Sequence, residues 1–559
     1  MEKKGKLELT WVGKHDAEML EPRILVEDFE KSYGNLESEN MLIHGDNLLA
    51  LKALQSDYTG RIKCIYIDPP YNTGEAFDEY DDNLEHSIWL QLMKERLELL
   101  KELLAEDGTI FVQLNDEEIC YCKVLMDEVF GRDKFINMIA VKTKNSSGAS
   151  GGGEDRKLKK NIEHILCYGK NDFKKFYPSY TKIELSEYLE SMRVNGISFK
   201  YTTVFTDFGD RTYFKTIKDG SGEDIVIYAH SKYETKSIKK ISEEEGISEI
   251  EVFSKYYDRI CTTENAQTSI RTRVREATDE LDNLYSIEYY PVSGRNKGKL
   301  TTVHFVGKNK RLVSWFKNVC VQEKNHIFKR EKVGSLWDDL NWNNVNREGG
   351  VVFSGGKKPE VLIKRILELA TQPGDYVLDS FLGSGTTAAV AHKMDRKWIG
   401  IEMGEHAYSL CKVRLDSVID GDEGGISREI NWKGGGGYKF YELAEPLLVR
   451  HPMLPIYQVN PTYTWEMICR AICKIEGFQF RPNGEFQGNS SERRFIHITE
   501  EFVNGKYIMG LIKTLGERQS VLIYCKKHQA EMILPVNVEV KKIPKDLLEK
   551  CSFESEEEA

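Results

Sequence analysis

The sequence predicts an α/β fold: a mostly parallel sheet covered by helices on both faces and assembled from two separated blocks. Three observations carry this. Residues 40–135 alternate short apolar strands with amphipathic helices. Residues 358–415 repeat the alternation. Residues 142–340, between them, have a different composition.

In the first block, Met41-Leu42-Ile43 is a short apolar strand. Asn47 to Gln55 follows with helical spacing at Leu48, Leu51 and Leu54. Cys64-Ile65-Tyr66-Ile67 is a run of the fully buried kind and ends at Asp68. Ser87 to Leu104 is a long amphipathic helix that Gly108 stops, and Thr109 to Leu114 is the next strand. In the second block, Val361 to Ala370 is a helix and Pro373-Gly374-Asp375 a turn. Tyr376-Val377-Leu378 is a strand, Thr386 to Met394 a helix, and Trp398-Ile399-Gly400-Ile401 a strand.

The chain has 559 residues, 40% hydrophobic and 30% charged, which is enough apolar matter for several cores. No apolar run is long enough to cross a membrane, and Met1 to Trp11 leads into no secretory stretch. Eleven cysteines include Cys120-x-Cys122 and Cys469-x3-Cys473, but no second His/Cys pair completes a zinc pattern. Reduced thiols and no metal are expected.

The formal charge of -11 is unevenly spread. Lys142 to Leu340 holds 35 Lys+Arg against 29 Asp+Glu, a net +6, so the remainder carries -17. Phe173, Phe176, Tyr177, Tyr180, Tyr188, Phe199 and Tyr201 lie among these basic residues. Cations interleaved with aromatics suit phosphate contact and base stacking, and equally an ordinary mixed surface. The densest clusters are Arg156-Lys157 with Lys159-Lys160, Arg271, Arg273 and Arg275, and Lys308 with Lys310-Arg311. The glycine-rich stretch Ser146 to Gly153 and the run Gly434 to Gly437 mark boundaries, and Glu554 to Glu558 is an acidic solvated tail.

Two motifs carry chemistry. The first is Asp68-Pro69-Pro70-Tyr71, at the carboxyl end of a strand, where open α/β sheets place their sites. The two prolines remove two backbone donors and leave carbonyl acceptors beside the Asp68 carboxylate. Tyr71 adds a flat face for stacking. Acceptors beside an aromatic ring suit an exocyclic amine such as adenine N6. A simple strand-ending turn uses the same residue types.

The second motif is Asp379-Ser380-Phe381-Leu382-Gly383-Ser384-Gly385-Thr386-Thr387, between a strand and a helix. Gly383 and Gly385 let a ligand approach the backbone. The Lys-containing phosphate loop is missing, and Ala388 takes the third glycine position of the dinucleotide fingerprint. Glu402 ends the next strand, near the spacing for a carboxylate on ribose hydroxyls. The pattern fits a nucleoside-containing ligand without a pyrophosphate.

Together the motifs resemble an S-adenosylmethionine-dependent amino-methyltransferase of the DNA adenine-N6 type, in the permuted order of the β group. Longer strings resemble the modification (Mod) subunit of Type III restriction-modification systems. They are Leu9-Thr10-Trp11-Val12-Gly13-Lys14, Pro22-Arg23-Ile24-Leu25, and His44-Gly45-Asp46-Asn47 with Leu48-Leu49-Ala50-Leu51. Asn72-Thr73-Gly74 continues the first motif, and Tyr80-Asp81-Asp82-Asn83-Leu84-Glu85-His86-Ser87 with Trp89 follows. Gln267-Thr268-Ser269-Ile270-Arg271-Thr272-Arg273-Val274 and Gly356-Lys357-Lys358-Pro359 complete them.

The resemblance implies a Rossmann-like methyltransferase domain with an inserted target-recognition domain and a small α/β C-terminal domain. The expected divisions are an N-terminal extension (1–40), a catalytic half (41–141), the insert (142–340), a cofactor-binding half (341–433) and a dimer or partner domain (434–559). S-adenosyl-L-methionine is the implied cofactor. Asp46 would contact its adenine, with a helix cap as the alternative. Lys358 and Pro359 would line its methionine end. Asp379, Phe381, Gly383, Ser384, Gly385, Thr386 and Glu402 would complete the pocket, with core packing as the alternative for Phe381. Family members carry an aromatic where this chain has Val141-Lys142-Thr143-Lys144, so Tyr168 is the candidate second wall of the base pocket, or else core.

The implied reaction is methyl transfer to N6 of an adenine flipped out of double-stranded DNA, with Asp68, Pro69, Pro70 and Tyr71 catalytic. The implied partners are a second Mod copy and a restriction (Res) helicase-nuclease subunit, in the cytoplasm. An N4-cytosine enzyme and a catalytically silent DNA-specificity subunit are the rival readings.

Overall fold

The computed structural model describes residues 7–15, 23–71, 86–144, 158, 160–266, 268–278, 283–292, 296–324, 326–343, 345–353 and 356–548. Asn72 to Gly74, Tyr80 to Glu85, Ser146 to Gly153, Arg156, Lys157, Lys159, Gln267 and the acidic tail lie outside these residues. So does Pro22. The chain divides into two compact units, Ser179–Val333 and the remainder.

The larger unit is built on one ten-stranded sheet. Its strands are β1 (Leu25–Gly34), β2 (Met41–His44), β3 (Ile62–Ile67), β4 (Leu104–Leu114) and β5 (Phe135–Lys142). They continue with β6 (Ile162–Gly169), β7 (Leu336–Trp337), β8 (Tyr376–Asp379), β9 (Lys397–Glu402) and β10 (Gly437–Leu443). The order across the sheet is β1-β10-β2-β9-β8-β3-β4-β6-β5-β7. From β10 to β4 the six strands are parallel. β6 runs antiparallel between β4 and β5.

The two sequence blocks interleave. β8, from the second block, pairs on one side with β3 from the first and on the other with β9. β2, from the first block, pairs with β9. One sheet is therefore made from both ends of the chain, and Asp68, Asp379, Glu402 and His44 reach the same edge.

The helices follow from apolar spacing. In α1 (Asn47–Tyr58), Leu48, Leu51 and Leu54 are buried, as the spacing predicts. In α2 (His86–Leu103), Trp89, Leu90, Met93, Leu97 and Leu100 form the buried stripe. α3 (Glu360–Ala370) buries Leu362, Ile363, Ile366 and Leu367, and α4 (Thr386–Lys393) is buried all round. The stripes of α1 and α2 and the strands β2, β3, β4, β8 and β9 share one continuous core.

Gly108 does not stop the second helix. The helix ends at Leu103, and β4 begins at once with a bulge: Ile62 faces Leu104, but Cys64 already faces Thr109. A Cβ at Gly108 would lie 3.0 Å from the carbonyl oxygen of Ile62, so glycine permits the close approach.

The sheet also draws in residues from beyond the expected divisions. Ile162–Gly169 and Leu336–Trp337, within the span read as an insert, are strands of it. So is Gly437–Leu443, within the span read as the C-terminal domain. In the run Gly434 to Gly436, the first and last glycines are closely packed. All three residues have positive φ, and a Cβ on Gly436 would meet the His392 ring at 2.7 Å.

After β10, a five-stranded mixed sheet runs from Gln479 to Lys542, with its last three strands parallel. Helices Trp465–Ile475 and Gly505–Ile512 bury apolar faces beside it. Among the described residues, no helix is long and apolar enough to cross a membrane.

The smaller unit, Ser179–Val333, holds an eight-stranded antiparallel sheet and a three-stranded one. Its two chain ends meet, with the Val333 amide donating to the Ser179 carbonyl at 3.3 Å.

Candidate active site

Asp68 follows β3 directly, so the parallel sheet itself aims it at the carboxyl edge. The turn after it is anchored from below: the buried Trp89 indole donates to the Pro70 carbonyl at 2.8 Å. The Tyr71 hydroxyl donates back to Asp68 Oδ1 at 2.6 Å.

Lys358, just before α3, brings the second block into this cluster. Its ammonium lies 2.8 Å from Asp68 Oδ2 and 3.5 Å from Glu163 Oε2, with its side chain 6% exposed. It also stands 5.1 Å from the centre of the Tyr71 ring. Lys358, expected at the methionine end of a cofactor, thus points its charge at Asp68.

Glu163 was not anticipated from the sequence. It lies in β6, whose antiparallel course carries it to the Asp68 end of the sheet. It accepts from Tyr71 Oη at 3.0 Å and from Gln113 Nε2 at 2.5 Å. Tyr66 donates to Gln113 Oε1 at 2.8 Å and so fixes that amide. Burial raises the Asp68 carboxyl above its ordinary pKa, and the Lys358 charge only partly opposes this. At Glu163 burial pushes the same way, but Lys358, Gln113 and Tyr71 outweigh it and hold the carboxyl below the ordinary range. Lys358 is raised: burial lowers it, but the two carboxylates prevail.

The glycine loop is built from Asp379 and Glu402. Asp379 Oδ1 accepts the Phe381 amide at 3.0 Å, and Oδ2 accepts the Thr387 hydroxyl at 2.6 Å. Burial raises this carboxyl to about 7. Glu402 Oε2 accepts the Gly383 amide at 2.6 Å, which pins the loop to the end of β9. Gly383 has φ +56° and Gly385 +78°. Among the described residues, a Cβ on Gly383 would meet only the Phe353 ring, at 4.0 Å, whereas one on Gly385 would lie 3.3 Å from Cys411 Cα. The first glycine borders open space and the second a packed backbone.

Ser384 and Thr386 face inward. The Arg414 guanidinium donates to Thr386 Oγ1 at 2.6 Å and ion-pairs with Glu360 at 2.8 Å, the two charged side chains being without solvent contact. Lys393 joins Glu360 at 2.9 Å. This network ties the start of α3 to the loop, and the charged residues in it gave no sequence signal because their partners are distant.

Asp46 caps α1, accepting the Leu49 amide at 3.0 Å, which is the alternative the sequence left open. Its Oδ2 lies 3.5 Å from Arg96. Arg96 also donates to Asn47, and Asn47 donates to the Ser380 carbonyl at 2.8 Å, so α2 steadies the loop through α1. Phe381 is 7% exposed and belongs to the core, the alternative kept for it.

Tyr168 is not a wall of this site. It pairs with Ile110, away from the Asp68 end of β4, and it is fully buried between Phe130 and Phe135. Its hydroxyl donates to Asp127. Core packing is its role.

The residues fit a nucleoside bearing an amino-acid tail. The space beside Gly383 is one that a side chain would occupy, and the buried Ser380 hydroxyl has no partner among the described residues. Among the described residues, no group of three or more His, Cys, Asp or Glu is placed to hold a metal.

Residues 62–413 match the profile of a sequence family described as DNA methylase. A probable Type III restriction-modification enzyme HindVI Mod subunit from Haemophilus influenzae is 44% identical over 410 residues, covering 73% of this chain and 54% of that protein. The Type III EcoPI Mod subunit from Escherichia phage P1 is 26% identical, covering 70% of this chain and 62% of that one. The Type II methyltransferase M.KpnI from Klebsiella pneumoniae is 28% identical, covering 65% of this chain and 78% of that one. The chain spans 54% and 62% of the length of the HindVI and EcoPI Mod subunits.

Proposed function

Because the chain belongs to the DNA methylase family, we propose that it methylates N6 of an adenine flipped out of double-stranded DNA, as the modification subunit of a Type III restriction-modification system. The observation that carries this is the pairing of β3 with β8, which sets the Asp68–Tyr71 turn beside the Asp379–Glu402 loop. An amine site and a nucleoside site on neighbouring strand ends suit transfer between the two.

S-adenosyl-L-methionine supplies an electrophilic methyl group when bound. Glu402 would hold its ribose and the Gly383–Gly385 backbone would lie against it. Asp46 would meet its adenine, and Asp379, Ser384, Thr386 and Pro359 would frame the rest.

The chain's own work is positioning. The lone pair of adenine N6 is delocalised into the ring, so the amine is a poor nucleophile. Asp68 and the Pro69 carbonyl would accept its hydrogens and turn the lone pair outward, while Tyr71 stacks on the base. Stacking offsets roughly 1–3 kcal/mol of the few that unstacking costs. The unit Ser179–Val333 would read the target sequence. The sheet after Gly437–Leu443 would carry contacts to a second copy or to a helicase-nuclease Res partner.

The test is to incubate the purified chain with mixed-sequence DNA and tritiated S-adenosylmethionine, digest the DNA and identify the labelled base by mass. N6-methyladenine is expected. N4-methylcytosine would replace the substrate assignment, and no label would point to a silent specificity subunit.

A further inference from the structure

Two carboxylates in the cluster share one cation and one hydroxyl. Tyr71 Oη stands 2.6 Å from Asp68 Oδ1 and 3.0 Å from Glu163 Oε2. Lys358 Nζ stands 2.8 Å from Asp68 and 3.5 Å from Glu163. The carboxylates are 19% and 20% exposed and the lysine 6%. Glu163 also accepts from the uncharged Gln113 amide at 2.5 Å. With both carboxylates ionised the group carries one net negative charge.

Amine methylation releases a proton, and this arrangement suggests where it goes. As the bond from the methyl carbon to N6 forms, its bond to sulfur breaks and sulfur keeps the electron pair. Nitrogen then bears a positive charge. One N–H bond breaks, its electrons stay on nitrogen, and the proton passes to an Asp68 oxygen. Asp68 is then neutral, and Lys358, which was paired to it, is buried beside an uncharged acid. A buried ammonium left without an anion is strongly disfavoured.

We propose that Glu163 is a positioning residue for this proton step, holding the Lys358 ammonium and the Tyr71 hydroxyl while Asp68 changes from anion to acid. The inference rests on the methyltransferase reading above. The opposite displacement of the two carboxyls agrees with it: Asp68 is raised by burial, while at Glu163 the lysine and hydrogen bonds outweigh burial. The proton therefore settles on Asp68 and the anion on Glu163. The other ionisable groups coupled to this pair are Tyr66, Tyr71 and Asp379. Burial keeps both phenols protonated, and it also raises Asp379, so none of these groups supplies a cation beside Lys358.

The experiment compares the full-length wild type with Glu163→Gln and Glu163→Asp. Infrared titration of the cofactor-free protein follows the Asp68 carboxyl, identified as the band that Asp68→Asn removes. Methyl transfer gives kcat and KM. Losing the Glu163 charge should move the Asp68 midpoint to lower pH, because a neighbouring anion raises it. It should also lower kcat about tenfold or more, with KM for S-adenosylmethionine unchanged. Glu163→Asp should keep the midpoint near the wild-type value and restore part of the rate.

An unmoved midpoint or an unchanged kcat in Glu163→Gln overturns the proposal. If that variant does not fold, Glu163→Asp decides, since its shorter side chain draws away from Lys358, and a wild-type kcat then overturns it. A wild type that labels no adenine defeats the methyltransferase reading instead, and the infrared titration still tests the coupling of Glu163 to Asp68.

Discussion

The Lys358 ammonium stands 2.8 Å from Oδ2 of Asp68, an ion pair between the two separated halves of the sheet. Removing it with Lys358→Met takes away the cation that both half-buried carboxylates share. Asp68, already raised by burial, rises further. Its anion, which must accept the amine, is then scarcer at neutral pH. Methyl transfer at pH 7 should fall about ten- to a hundredfold, in step with the shrinking population of that anion. The acid limb of the pH–rate profile should move to higher pH, with partial recovery in alkaline buffer. A profile that keeps its acid limb would contradict the pairing.

Tyr71 serves as both a ring and a hydroxyl, and two substitutions separate these. Tyr71→Ala removes the stacking face and should lower methylation about 10- to 100-fold, matching the 1–3 kcal/mol of one base–aromatic stack. S-adenosylmethionine binding, measured by calorimetry, should survive. Tyr71→Phe keeps the face and loses the bridge between Asp68 and Glu163. Its loss should be smaller and should appear in kcat rather than in DNA affinity. Equal loss of cofactor binding in Tyr71→Ala would refute the stacking role.

The two loop glycines should fail differently. Gly383 has φ +56° and only a distant ring near its missing Cβ. Gly383→Val should cost about 1–2 kcal/mol of backbone strain, leave the protein folded and abolish cofactor binding. Gly385 adds a 3.3 Å approach to the Cys411 backbone, so Gly385→Val should lower the melting temperature more. Calorimetry with and without S-adenosylmethionine separates the outcomes. Unchanged affinity in Gly383→Val would remove this loop from the binding site.

Asp379 makes stability depend on pH in an unusual direction. Burial raises its folded pKa to about 7, against 3.8 for the ordinary carboxyl. Between those values the folded state binds more protons than the unfolded one, so this group's contribution to stability falls as pH rises. Asp379→Asn removes the titration. The wild type should therefore lose about 1 kcal/mol per pH unit relative to the variant between pH 5 and 7, and the difference should level off above 7. Parallel denaturation curves across that range would show that Asp379 does not titrate there.

Much of the larger unit was legible because its signals are local. Cys64 to Ile67 in β3 is an unbroken apolar run, and α2 repeats its buried residues every three or four positions. The turn at Asp68 and the loop at Asp379 were readable because prolines and glycines act on their own backbone. Asp68 and Asp379 came together only through strand order, which the pairing of β8 with β3 supplies.

Other features depended on distant partners and were not readable. Glu163 opens onto the site because β6 runs antiparallel into the same sheet, inside a span whose composition suggested a separate insert. Arg96 and Arg414 look like surface cations until their acceptors are known. Gly108 looked like a helix stop because glycine disfavours helix, but here it serves a bulge against Ile62.

The hydrogen bond that joins Ser179 to Val333 has a consequence for insertion and exchange. The smaller unit leaves and rejoins the chain at one point, and every strand of its two sheets comes from within it. Such a unit can be exchanged whole, lengthened or shortened without disturbing the register of the strands that hold Asp68 and Asp379. The strands that carry Asp68 and Asp379 therefore take their register from residues outside Ser179–Val333 alone.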